Sequence, residues 1–97
     1  MLNKKDKYML RAKSNGLQPV VIIGKDGLSV NTINSINDVL RTKELVKISI
    51  LKTYVGLEKK ELADLIASTT NSEVIHIIGR TITIYKKNNE KNAYEIK

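Results

Sequence analysis

Along this chain the spacing of apolar positions changes several times, and each change marks an element. From Leu45 to Leu51, Val46, Ile48 and Ile50 alternate with Lys47 and Ser49, the period of two expected of a strand with one wet side. The alternation returns from Thr81 to Tyr85, with Ile82 and Ile84 on one side and Thr81, Thr83 and Tyr85 on the other. Val74 to Ile78 reads as another strand. Between them Gly79-Arg80 suits a type II′ hairpin turn, because glycine supplies the positive φ at the first central position. Val20-Val21-Ile22-Ile23 is β-branched throughout and bounded by Pro19 and Gly24, which predicts a short buried strand.

Helical spacing takes over elsewhere. Ile33, Ile36 and Leu40 recur behind Ser29, a good N-cap, with Leu28 and Ile33 placed to staple the first turn, so a helix runs to about Arg41. Glu58 to Thr70 predicts a second helix with Leu62, Leu65 and Ile66 inward and acids early, where the helix dipole favours them. Asn3 to Asn15 contains neither proline nor glycine and predicts a helix stopped at Gly16, with Pro19 beyond. The order is α-β-α-β-α-β-β.

Two β-α-β crossovers require right-handed connections, so the expected fold is an α/β two-layer sandwich with a four-stranded mixed sheet. Helices would cover one face, leaving Lys47, Ser49, Thr81, Thr83 and Tyr85 on a wet one. Residues 1–87 form a single domain in this reading. The stretch NNEKNAYEIK, 88–97, lacks a periodic apolar pattern and reads as a polar, flexible tail.

With 97 residues and a hydrophobic fraction of 41%, the chain can build one core. It has no cysteine, which removes disulfides, thiolate metal sites and cysteine nucleophiles and fits a reducing cytoplasm. MLNKKDKYMLRAKS carries charges where a signal peptide needs an apolar core, and no apolar run is long enough to cross a bilayer. The expectation is a soluble cytoplasmic protein without a membrane partner.

The net charge of +7 is unevenly placed: residues 1–27 carry +4, residues 80–97 carry +3, and the middle sums to zero. Ends brought to one side would make a patch attractive to a polyanion, whereas ends kept apart would only solubilise the surface. Catalytic chemistry finds little support. His76 is the single histidine, so there is no histidine pair for a metal and no spare base for a triad. It reads as a solvent-side strand residue. Glu58, Glu61 and Asp64 fall among Lys59 and Lys60 on a helix whose solvated face already explains them. No enzyme activity, cofactor, metal or small-molecule substrate is expected.

One short motif remains. Gly24-Lys25-Asp26-Gly27 follows a predicted strand and precedes a helix N-terminus, where free backbone N–H groups and a helix dipole could hold a phosphate that glycine allows close. Lys25 would add a mobile cation. Asp26 opposes this unless it points away, and an ordinary tight turn explains the same residues.

LQPVVIIGKDGLS, KELVKISIL and VIHIIGRTITIYKK together resemble the three signature segments of the CRM domain (chloroplast RNA splicing and ribosome maturation), in its stand-alone bacterial, YhbY-type form. The resemblance covers residues 2 to 87 and rests on Leu17, Pro19, Gly24 to Leu28, Glu44 to Lys47 and Gly79-Arg80-Thr81 through Tyr85, in order. It implies a fold similar to the C-terminal domain of translation initiation factor 3, with the last strand between the second and third. It also implies RNA as partner. Family members of this size associate with precursors of the large ribosomal subunit, and related plant domains with group II intron splicing.

The family's GxxG loop maps onto Gly24, Lys25, Asp26 and Gly27, and its basic positions onto Arg80 and Lys86. Asn15, Gln18 and Lys86 stand where the family commonly has histidine, lysine and arginine, and a lysine cannot make the bidentate fork to phosphate. The combined expectation is a monomeric, non-catalytic protein gripping structured RNA by its backbone. Lys4, Lys5, Lys7, Arg11 and Lys13 of the first helix would assist Lys25, Arg80 and Lys86. An adaptor that docks on a ribosomal or assembly protein is the alternative.

Overall fold

The computed structural model describes residues 2–97. Its elements are α1 (Lys4–Ser14), β1 (Val21–Ile23), α2 (Val30–Lys43), β2 (Leu45–Ile50), α3 (Lys59–Thr70), β3 (Glu73–Ile78) and β4 (Thr81–Tyr85). Caps explain most boundaries. The Asn3 side chain accepts the Asp6 N–H at 2.8 Å, and Ser29 Oγ accepts the Thr32 N–H at 3.2 Å, each satisfying an orphan donor of a first turn. Asn71 ends α3 in the left-handed conformation, where asparagine is tolerated better than most residues.

The four strands form one sheet in the order β1-β2-β4-β3. β1 runs parallel to β2, while β4 pairs antiparallel with both β2 and β3. Gly79 holds φ 57 at the first position of the β3–β4 turn, as the hairpin requires. Among the described residues no helix is long and apolar enough to cross a membrane.

The larger core lies between one sheet face and helices α2 and α3. Ile23, Val46, Ile48, Ile82 and Ile84 meet Ile36 and Leu40 of α2 and Leu62, Ala63 and Ile66 of α3. Leu65, expected inward, is exposed, and Ala63 takes its place. The stripe on α3 is thus turned by one residue from the predicted one.

The other face departs from the sequence reading. Helices cover both sides: α1 lies on the opposite face from α2 and α3, packing Leu10 against Leu45, Ile75 and Tyr85 in a second core. Instead of staying wet, this face buries Thr83 completely and Tyr85 almost completely, while Lys47, Ser49 and Thr81 are half-buried. A bulge between Val74 and His76 contributes to this. The extra residue breaks the alternation, so that His76 as well as Ile75 lies on the side of α1 while Ile77 returns with Val74 to the larger core.

Residues 88–97 also differ from the expected free tail. Ile96 is buried in the second core, and the Tyr94 ring meets that of Tyr85 edge-on, with centroids 6.2 Å apart. Buried Glu44 ties this segment down: its Oε1 accepts the Asn88 N–H at 3.0 Å and its Oε2 the Ala93 N–H at 2.9 Å. β1 is likewise an edge strand rather than a fully buried one. Only its Val21 and Ile23 face the core, and Ile22 is 61% exposed.

Candidate functional site

Because β1 and β2 are parallel, their C-terminal ends reach the same end of the sheet, and the β3–β4 hairpin joins them there. Leu51 donates its N–H to the Ile23 carbonyl at 2.9 Å, and Ile50 donates to the Arg80 carbonyl at 2.7 Å. The Gly24–Gly27 turn and Gly79-Arg80 therefore flank the end of β2 at one rim of the sheet, although more than fifty residues separate them in sequence.

Gly27 closes the turn by donating to the Gly24 carbonyl at 3.0 Å. It holds φ +67, a conformation that strains other residues by about 1–2 kcal/mol. At Gly24 the constraint is looser: a Cβ there would lie 3.3 Å from Leu51 Cδ1, the end of an exposed side chain with room to give way. Lys25 and Asp26 are exposed at the tip. Gly27 thus answers a local structural demand, and the resulting turn presents its cation to solvent.

The segment 51–57, which links β2 to α3, completes this end of the sheet. Tyr54 packs partly against the larger core, and its ring abuts the turn, since a Cβ on Gly27 would lie 3.6 Å from Tyr54 Cε1. Tyr54 also lines a cleft of about 430 Å³ that opens toward Glu58, Lys59, Gly79 and Arg80. Lys59 Nζ donates to the Gly79 carbonyl at 2.6 Å, pinning the hairpin to the first turn of α3. Tyr54 and Lys59 escaped the sequence reading because 51–57 has no period and Lys59 looked like part of a solvated face. The one available signal was Gly56, a glycine two residues after an aromatic in a loop that leads to a helix.

The remaining predicted residues lie elsewhere. Lys4, Lys5, Lys7, Arg11 and Lys13 ride on α1, over the opposite sheet face. Lys7 pairs with Glu73 at 3.8 Å, and Arg11 Nε donates to the Ile75 carbonyl at 3.4 Å. Lys86 is exposed beyond the far end of β4, about 20 Å from Arg80 at a strand rise of about 3.3 Å per residue. The first turn of α1 lies nearer to Lys86, since Glu73 sits opposite Tyr85. The cations therefore form two groups, one around Gly24–Gly27 and Arg80 and one along α1 toward Lys86.

His76 lies under α1, where the sequence suggested a solvent-side residue. Its Nε2 is 3.3 Å from Ser14 Oγ. Ser14 commits its own hydrogen to the Arg11 carbonyl at 2.7 Å, so the imidazole is the donor. Burial, then the charges of Arg11 and Lys47, lower its pKa from 6.5. The unfolded chain therefore takes up this proton more readily than the native one. The stability linked to neutral His76 is complete above pH 6.5 and is lost as pH falls through the lowered native value. Thermal melts at about pH 7.5 and about pH 5 should show a larger loss for the wild type than for His76→Gln. Equal losses would show that His76 is not the titrating group.

Similarity to known proteins covers nearly all of this architecture. The CRS1 / YhbY (CRM) domain matches residues 2–86. The chain is 33% identical over 96 residues to "Probable RNA-binding protein YqeI" of Bacillus subtilis, covering 99% of each. It is 36% identical over 86 residues to "Probable RNA-binding protein MJ0652" of Methanocaldococcus jannaschii, covering 88% of this chain and 63% of that one. Among solved structures, the solution structure of the hypothetical protein SAV1595 from Staphylococcus aureus has a TM-score of 0.78 and 38% identity, covering 91% of each chain.

Proposed function

Since the chain belongs to the CRS1 / YhbY (CRM) domain family, we propose that it is a non-catalytic RNA-binding protein that grips RNA by its backbone at the Gly24–Gly27 end of the sheet. The observation that carries this reading is that the Gly24–Gly27 turn and Arg80 flank the same end of β2, so that exposed cations from two distant segments share one rim. The names of the relatives point to the same partner. On this reading the backbone N–H groups of the turn and Lys25 hold one phosphate, and Arg80 neutralises a neighbour. The lysines of α1, Arg11 and Lys86, set apart from this rim, meet a second run of phosphates on a structured RNA. The RNA is ribosomal, and the protein acts as a cytoplasmic monomer on precursors of the large ribosomal subunit.

Binding to purified large-subunit ribosomal RNA, titrated with salt, tests this. If four or five phosphates are neutralised, log K falls against log salt with a slope of about −4. The adaptor reading draws on the exposed Ile22 and Ile78, each 61% accessible at the two edges of the sheet. It requires association with ribosomal particles that survives RNase and hardly responds to salt, and that outcome would replace the RNA-binding reading.

A further inference from the structure

We propose that the cleft between the β3–β4 hairpin and the first turn of α3 receives a single unpaired nucleobase, with Tyr54 as its stacking wall and Glu58 as the acceptor for its amino group. This rests on the backbone-binding reading above and names what that site reads besides phosphate.

Three observations converge on the cleft. Its volume, about 430 Å³, lies in the range of about 300–1,000 Å³ typical of small-molecule sites. Tyr54 links the two parts of the site, since its ring lies against Gly27 of the turn and also lines the cleft. A nucleotide whose phosphate rests on the turn thus has its base one ring away from an aromatic surface. Gly56 keeps the ring in place, because a Cβ there would lie 2.7 Å from Tyr54 Oη. Any larger residue at 56 would push the ring out of this position.

The polar groups around the ring complete the chemistry. Arg80 is exposed at the cleft mouth, placed for phosphate or for cation–π contact with the base. Lys59 is held by the Gly79 carbonyl and adds positive charge at the rim. Glu58 starts α3 without a side-chain capping bond, so its carboxylate oxygens are available as acceptors in the same cleft. A carboxylate accepts from the amino groups of adenine, cytosine or guanine, whereas uracil has no amino group and offers only its ring N3–H. The ligand class is therefore an amino-bearing base turned out of a bulge or loop.

The test compares RNA hairpins that differ at one bulged position: adenosine, uridine or an abasic nucleotide. All three carry the same phosphates, so any difference belongs to the base. The wild type should bind the adenosine bulge about 10-fold more tightly than the abasic one, given the usual worth of one base–aromatic stack, with uridine in between. Tyr54→Phe should keep the preference over the abasic bulge and Tyr54→Leu should abolish it. Glu58→Gln should bring uridine level with adenosine. Equal wild-type affinity for adenosine and abasic hairpins would overturn the cleft proposal and leave the backbone reading standing, without relying on any variant. Failure to bind any of the hairpins would remove both. Wild-type preference retained in Tyr54→Leu would also overturn the proposal, by placing the base elsewhere.

Discussion

Replacing Lys25 and Arg80 together by alanine should lower affinity for large-subunit ribosomal RNA by about 10- to 100-fold at about 0.1 M salt and flatten the salt dependence by one to two units. The two figures are linked. Each phosphate that is no longer neutralised takes nearly one unit from the slope of log K against log salt, and at about 0.1 M one unit is about a factor of ten. Both residues are exposed, and neither side chain makes a hydrogen bond or ion pair among the described residues. The variant should therefore melt at the wild-type temperature, so that weaker binding reports on the RNA interaction alone. An unchanged slope would reduce the Gly24–Gly27 segment to a strand-to-helix turn and direct the search to a protein partner.

Glu44→Ala should destabilise the fold by about 3 kcal/mol, since truncation removes two charge-assisted hydrogen bonds to part-buried backbone donors, at roughly 1.5–3 kcal/mol each, partly offset by water reaching those donors. The side chain is fully buried and uses both oxygens, on Asn88 and Ala93, while the Glu44 carbonyl accepts the Lys86 N–H at 2.9 Å. Losing these bonds frees the segment that carries Ile96 onto Leu10 and Tyr85. For a domain of this size the loss amounts to about 12–24 °C in Tm. Glu44→Gln should rescue little, because its amide offers one acceptor and turns an N–H₂ toward the second donor. Thermal and urea denaturation check both variants. A loss under about 1 kcal/mol for the alanine would mean that the last ten residues add little to stability.

What the sequence revealed, and what it hid, follows from the range of the interactions involved. β2 and β4 were legible because alternation is local, and α2 because Ser29 caps it within three residues. The position of β4 was legible through the resemblance to the CRM domain. The face chosen by α1 was not, because its apolar contribution is one fully buried leucine with a few partly buried neighbours, too few to point to a side. The bulge at Ile75 hid the second core by shifting the alternation midway along β3. The docked C-terminal segment depends on a carboxylate more than forty residues earlier, and no pattern within NNEKNAYEIK records it.

The central place of β4 also dictates when this protein can fold. β3 has no strand partner until β4 forms, and β1 with β2 makes only a two-strand fragment with one flank bare. The sheet is closed by the last strand to be synthesised, so the earlier elements must wait as an incomplete assembly until residues 81–85 have cleared the ribosome. Pairing Leu45 with Tyr85 closes a loop of about forty residues, an entropic cost met before the central ladder returns any stability. Folding should therefore be governed by this late pairing, with destabilising changes in the β2–β4 ladder slowing refolding and changes in α1 mainly speeding unfolding.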